Sequence, residues 1–305
     1  MKALKRSKMK VSASRWVFVV CNTALMVLLS FLFIFPYLNI LATALNDASD
    51  TALGGIVFWP RSWTLDNLQI VLIDKTTWTG FTISVLRVVV GSLVALLVTY
   101  MAGYAMLRKG LPGRAVIVGF LTVPMFFGGG IIANIVVYRM IGVYNTFWVY
   151  ILPCAFSFYN MVVVRTYLMT IPESLPESAR LDGANELQIL FRIMFPLSMP
   201  IVAVILLWNA VFYWNDWSTT LYYVNRSDLY TMQFNLQMML KKQQNIQDAI
   251  ANAVATGKFG NLDSAMTPEA IQAAQILVTT LPIVVVYPFV QKYFVQGVMI
   301  GSVKE

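Results

Sequence analysis

PESLPESARLDGANELQILFRIMFPLSMP occupies Pro172 to Pro200, and its first half is polar and broken by glycine where the chain on both sides is apolar. Glu173, Glu177, Arg180, Asp182 and Glu186 crowd into it, although only 12% of the 305 residues are charged. The local chemistry predicts a short helix. Ser174 is placed to cap its start while Glu177, three residues on, reaches back in a capping box. Pro176 in the first turn gives up an N–H that has no helical partner. Gly183 can take the left-handed conformation that ends a helix. A second helix is expected from about Asn185, carrying Leu187, Leu190, Phe191 and Met194, with Pro196 and Pro200 bending its passage into the next apolar run.

That next run is one of several. The chain is 58% hydrophobic with a mean hydropathy of +0.69, and its apolar stretches approach or exceed the roughly 20 residues a helix needs to cross about 30 Å of hydrocarbon. A soluble chain would break such stretches with charge every turn or so. The pattern predicts an all-α, polytopic membrane protein with six transmembrane helices, at about Trp16–Leu41, Gly80–Leu107, Ala115–Tyr138, Phe147–Met169, Ile193–Trp214 and Ile271–Phe294. Pro36, Pro124, Pro153 and Pro282 fall in or near these spans, which membrane helices tolerate. The segments are then a basic N-terminus (1–15), a first transmembrane helix (16–41), a five-helix core (80–294) and a C-terminal tail (295–305). Within the core lie the polar inner segment 172–192 and a large outer loop, 216–270.

Orientation follows from Lys and Arg. Lys2, Lys5, Arg6, Lys8, Lys10 and Arg15 precede the first span, Arg108, Lys109 and Arg114 fill the second connection, Arg165, Arg180 and Arg192 flank the fourth, and Lys292 and Lys304 close the chain. The other connections are longer and hold only scattered cations. The positive-inside rule puts both termini, and the 172–192 segment, in the cytoplasm. Ala42-Thr43-Ala44 imitates a signal-peptide cleavage site, but the apolar run before it is about twice the expected 7 to 15 residues, so the first helix is read as retained.

Trp59, Trp63 and Trp78 in the loop 46–79 suit the headgroup level of a bilayer. Tyr230–Ala255 reads as an amphipathic helix with Leu236, Met239, Leu240, Ile246 and Ile250 as its apolar stripe, facing a partner or packing on the bundle. There is no histidine, and Cys21 and Cys154 lie inside apolar runs; metal sites, Cys/His catalysis and a disulfide framework have almost no raw material, and the two thiols read as packing residues. The formal charge of +8 falls at membrane edges and does not indicate nucleic acid. "NAVATGKF" at Asn252–Phe259 lacks the leading glycine and the Ser/Thr after Lys258 that a phosphate-binding loop requires.

"ESARLDGAN", followed by Phe191, Pro196 and Pro200, resembles the Glu-Ala-Ala…Gly motif of the membrane subunits of ABC importers. Glu177, Ala179, Asp182, Gly183 and Ala184 stand at matching positions, and Ser178 replaces the family's usual alanine. "GYAMLRKG" (Gly103–Gly110), "MIGVYNTFWVYILP" (Met140–Pro153), "YWNDW" (Tyr213–Trp217) and the closing "QKYFVQGVMIGSVKE" extend the resemblance to carbohydrate-type importers over the chain, the most similar subgroup carrying complex sugars and oligosaccharides. The resemblance implies the type I ABC importer permease fold, placed in the cytoplasmic membrane of a prokaryote. It implies as partners a second, homologous permease, two ATP-binding cassette subunits, an extracytoplasmic sugar-binding protein, lipid and a carbohydrate substrate. ATP and magnesium would be bound by the ATPase subunits, and no cofactor by this chain. Glu177, Ser178, Ala179, Asp182, Gly183 and Ala184 would dock in a cleft of the ATPase, helix in groove. Leu175, Ala179 and Asp182 share one face at i, i+4 and i+7.

A sugar pathway needs aromatic faces and amides, and the span-level candidates are Phe126, Asn134, Tyr138, Phe158, Asn160, Trp214 and Asn215; each also has a packing explanation. Arg87 costs at least about 2.5 kcal/mol at the centre of a span and so faces a cavity or partner, or lies near enough to the outer surface to snorkel. An ion-coupled secondary transporter, the alternative, would want acids or histidines near mid-membrane. The six spans supply none.

Overall fold

The computed structural model describes residues 13–108, 110–256 and 269–302. The basic positions Lys2, Lys5, Arg6, Lys8, Lys10, Lys109 and Lys304, and the "NAVATGKF" residues from Gly257 onward, lie outside the described residues. Within them the regular elements are helices, joined by one isolated antiparallel bridge between Asn46 and Trp63. The helices that position the features below are α1 (Ala13–Ala44), α2 (Lys75–Ala105), α3 (Arg114–Phe126), α4 (Gly130–Met140), α5 (Phe158–Leu168), α6 (Ser174–Leu181), α7 (Glu186–Ile189), α8 (Met199–Asn215), α9 (Ser218–Tyr223), α10 (Met232–Thr256) and α11 (Glu269–Ser302).

Three helical stretches are long and apolar enough to cross a bilayer unaided: Ser14–Ala44, Lys75–Ala105 and Glu269–Pro288. The other three expected spans are bent pairs, and the number of crossings reaches six only if each pair counts as one. The reason is local in each case. Ala115–Tyr138 divides into α3 and α4, bent by 119°, because Pro124 removes a helical N–H and the Gly128–Gly130 run offers no helix propensity to carry the turn onward. Phe147–Met169 enters through 3-10 turns at Phe147–Tyr150 and Leu152–Cys154, the second containing Pro153, before α5 resumes at 50°. Ile193–Trp214 breaks at Ser198 by 86°, where Pro200 occupies the first turn of α8 and so favours a fresh start there over continuation.

The described residues form two compact units, one of residues 13–70 with 269–277, the other of 71–256 with 278–302. In the first, α1 is exposed and apolar along its length and buried only at its last turn, Ala42–Ala44. That turn is tied off by Asn46, whose side chain donates to Asp50 and Thr51 and accepts from the N–H groups of Arg61 and Ser62.

In the second unit α2 is the central strut. It packs along α8, α5 and the start of α10, and Gly91 lets the Tyr213 ring approach so closely that a Cβ there would sit 2.7 Å from it. Two cores line this strut. Leu96, Tyr100, Val164, Leu168, Ile189, Leu190, Met194 and Ile205 form one. Val149, Tyr150, Ile151, Tyr223, Val224 and Leu229 form the other. The α2–α8 pair is antiparallel: Arg87 meets Asp216 while the Tyr100 hydroxyl meets that of Ser198 at 2.6 Å. Between Ser84, which accepts from the Met232 N–H, and Tyr104, which donates to Glu186, α2 rises about 30 Å at 1.5 Å per residue, the thickness of a bilayer's hydrocarbon. The 172–192 segment and the 216–256 segment therefore lie at opposite ends of this unit.

The amphipathic helix starts at Met232, and its first turns pack on α2, with Leu236 buried and Met239 and Leu240 half-buried. The side chains of Ile246 and Ile250 lie outside the described residues.

Candidate functional site

At the Tyr104 end, Pro172 leads into α6 through Glu173, whose backbone is already helical (φ −63°, ψ −24°) and whose side chain makes no capping bond. Ser174 is thereby the first helical residue, without the extended backbone from which a hydroxyl reaches forward to cap. The expected Ser174–Glu177 capping box does not form. A capping box does close one helix later: Asn185 accepts from the Gln188 N–H at 2.9 Å, and Gln188 accepts from the Asn185 N–H at 2.9 Å. Gly183 ends α6 at φ +83°. The Ala184 N–H reaches back to the Ala179 carbonyl (2.9 Å) and the Gly183 N–H to that of Arg180 (3.1 Å), the paired bonds of a Schellman end.

The faces of α6 divide sharply. Pro176 is buried, and Ala179 and Ala184 pack on the core around Ile189, Leu190 and Met194. Glu177, Ser178, Asp182 and Gly183 are exposed, flanked by Leu175 and by Leu181, which is 90% exposed. The face expected from Leu175, Ala179 and Asp182 is thus split, with Ala179 turned toward the chain's own core. Beyond Gly183 an open depression is lined by Asp182, Gly183, Ala184, Gln188, Arg192 and Ile193. Glu186 fixes the tilt of α6 on the bundle: it accepts from the Tyr104 hydroxyl at 2.7 Å and from Arg180 Nε at 2.9 Å. After α7 a π-helical turn, Leu190–Met194, and the break at Ser198 carry the chain into α8.

At the other end, Arg87 is fully buried and does not snorkel. Its guanidinium pairs with the Asp216 carboxylate, donates to the Asp216 carbonyl at 2.6 Å and lies 4.6 Å over the Tyr150 ring and 5.7 Å from that of Tyr213. Burial pushes the Asp216 carboxyl up, but the Arg87 charge and hydrogen bonds from Thr219, Ser218 and Arg87 outweigh it and hold the group below the usual carboxylate range. The same side chain caps α9 by accepting from the Ser218 N–H at 3.0 Å. Asp216 escaped the sequence reading although it stands inside "YWNDW"; the signal available was an acid at the end of one apolar run able to pair with a cation inside another.

The pathway candidates scatter. Asn134 (3.4 Å) and Tyr138 (ring centroids 4.9 Å apart) both meet Tyr223, and Asn160 donates to Asn209 at 3.2 Å, leaving the buried Asn209 Nδ2 without a partner. Trp214 is buried with its N–H on the Thr279 carbonyl (3.3 Å), and Asn215 bonds the Val211 carbonyl of its own helix (2.8 Å). Phe126 is exposed and Phe158 half-buried. Tyr223 and Asn209 are polar neighbours that spacing alone did not reveal.

Residues 95–300, from the middle of α2 to the last turn of α11, match the family described as "Binding-protein-dependent transport system inner membrane component". The chain belongs to this family. It is 33% identical over 289 residues to Protein LplC of Bacillus subtilis (strain 168), covering 94% of this chain and 95% of that protein. It is 30% identical to the polygalacturonan/rhamnogalacturonan transport system permease protein YtcP of the same organism, covering 89% and 92%. Among solved structures it is similar to a chain of a bacterial ABC transporter involved in the import of the acidic polysaccharide alginate, with a TM-score of 0.80, 26% identity, and coverage of 93% of this chain and 98% of that one. Family membership makes the chain an inner-membrane transport subunit, and the family is not a catalytic one.

Proposed function

We propose that this chain is a permease subunit of an ATP-driven oligosaccharide importer in the cytoplasmic membrane of a prokaryote. It works beside a second, homologous permease, two ATPase subunits that bind ATP and magnesium, and an extracytoplasmic sugar-binding protein. The carbohydrate class rests on the substrates named for YtcP and for the alginate importer.

The observation that carries the reading is α6. It is a short helix ended at Gly183 by the Schellman bonds and held to the bundle by Glu186, and it turns outward a strip of Leu175, Glu177, Ser178, Leu181 and Asp182 that the described residues leave uncovered. Such a strip of apolar anchors between acidic residues suits a groove on another protein. The basic residues Arg108, Arg114, Arg165, Arg180 and Arg192 near it support the reading of its side of the membrane as cytoplasmic. Closure of two ATPase subunits would draw paired α6 helices together, and the Tyr104–Glu186–Arg180 contact would pass that movement to α2 and α8, tipping the bundle between inward- and outward-open states. Along the path, the free amide of Asn209 beside Asn160, and Asn134 with Tyr138 and Tyr223, offer hydrogen bonds and ring faces to sugar hydroxyls. Phe126 and Phe158 are further stacking candidates. Trp214 and Asn215 complete the candidates: the Trp214 N–H is bonded to the Thr279 carbonyl and the Asn215 amide N–H to that of Val211, which leaves the indole face and Asn215 Oδ1 to meet a sugar.

The test is co-purification with the ATPase. Gly183→Trp meets no neighbouring atom but strains the positive-φ end of α6, so it disturbs the helix as well as its exposed surface, whereas Glu177→Lys changes only an exposed side chain. Both are expected to lose the ATPase that accompanies the unaltered chain while the permease stays in the membrane; full association in both would contradict the proposal. ATPase stimulation of the reconstituted complex by a panel of neutral and uronate oligosaccharides names the substrate.

A further inference from the structure

The loop after α1 does not rise away from the membrane. Gly54 and Gly55, at φ +73° and +81°, turn the chain back down the side of α1. The Asn39 amide on α1 donates to the carbonyls of Ile56 (2.9 Å) and Val57 (3.1 Å). One residue further, the Phe58 ring packs edge-on against Phe35 at 5.1 Å and reaches Phe31 at 6.3 Å. The chain then returns, Pro60 buried, to the level of Asn46, where Arg61 pairs with Asp50 at 3.0 Å and donates to the Gly54 carbonyl at 2.7 Å. That ion pair closes the neck. Between its two charges every residue from Leu53 to Pro60 is uncharged, and Leu53, Val57, Phe58 and Trp59 are exposed, as is Trp63, whose ring stands edge-on to that of Trp59 at 5.2 Å.

The depth of this loop follows from α1. About 20 residues of helix cross the hydrocarbon, and counted from Trp16, just past the charge of Arg15, they end at Phe35. Phe58 therefore touches α1 where acyl chains end, and Ile56 and Val57 lie at the level of Asn39, among headgroups. Two side-chain bonds to consecutive carbonyls hold the irregular backbone against α1 at that level. Asn39 of α1 supplies both.

We infer that residues 53–63 form an interfacial anchor whose partner is phospholipid, in the leaflet that holds the C-terminal end of α1. Phe58 enters the acyl boundary, and Trp59 and Trp63 sit at headgroup level, where amphipathic rings are favoured. The surface continues the apolar face of α1, which argues for lipid as its cover.

The test places a nitroxide at Phe58→Cys or Trp59→Cys in the full transporter complex in phosphatidylcholine bilayers, with Cys21→Ser and Cys154→Ala. Collisions with dissolved oxygen at position 58 are expected to exceed those with a water-soluble nickel chelate several-fold, as at Phe33→Cys on the exposed face of α1. The balance is expected to move toward the chelate at 59. Dominance of the chelate at both positions would overturn the proposal, as would shielding from both reagents, which would mean a protein cover. A second measurement leaves both cysteines in place: Trp59→Phe should remove emission quenchable by dibrominated lipid, and loss confined to iodide-quenchable emission would overturn it.

Discussion

Arg87 shows what one buried charge demands of a membrane protein. Its desolvation is met by the Asp216 carboxylate, the Asp216 carbonyl and the Tyr150 face, although its Nε has no hydrogen-bond partner. Removing one member of such a pair leaves the other charge buried and uncompensated, so Asp216→Ala is expected to destabilise the chain by about 3–5 kcal/mol. Thermal unfolding in detergent checks this. The same pair has a pH signature. The folded Asp216 carboxyl titrates below its ordinary value, so its contribution is complete above the unfolded value of about 4 and is lost as the pH falls through the lower folded one. Asp216→Asn is expected to remove this part of the acid sensitivity, seen as a flatter melting temperature below about pH 4. The cost of burying Arg87 was legible from its place inside an apolar run, but its partner was not, because it lies 129 positions away with no local pattern to link them.

At the level of elements, α6 ends at Gly183 as expected but starts without the expected cap, and the capping box of the 172–192 segment belongs to Asn185. Asn185→Ala is expected to cost about 1 kcal/mol, the loss of a cap, whereas Ser174→Ala should be close to neutral because Ser174 caps nothing. Hydrogen exchange across residues 174–190 separates the two. The Gly183 end was legible in the sequence, since only a residue at ease with positive φ permits the Schellman bonds. The N-terminal cap was not, because it depends on whether Glu173 is helical, a fact set by how the chain leaves α5. The apolar runs were likewise legible by length, and the bends of 119°, 50° and 86° were not: proline and glycine mark where a helix can break, while the packing around α2 decides how far it turns. Ala179, read as part of an outward face, is held inward by the core around Ile189, which no helical spacing foretells.

Across the whole transport unit, α2 is a strut of bilayer length with the ion pair of Arg87 near one end and the Tyr104–Glu186–Arg180 contact at the other. Force applied to α6 has a short hydrogen-bonded route to α2 and, through the Tyr100–Ser198 contact, to the start of α8. Weakening that route should uncouple without undocking. Glu186→Gln is expected to retain the ATPase on co-purification while lowering substrate-stimulated hydrolysis in the reconstituted complex. The measurement that bears most directly on the account is photo-crosslinking in the intact membrane from a reactive amino acid at Leu181, the most exposed leucine of α6, with Asn225 at the opposite end as control. The account predicts that position 181 captures the ATPase subunit and position 225 does not. Capture from 225, or none from 181 in an assembled and active complex, would contradict it.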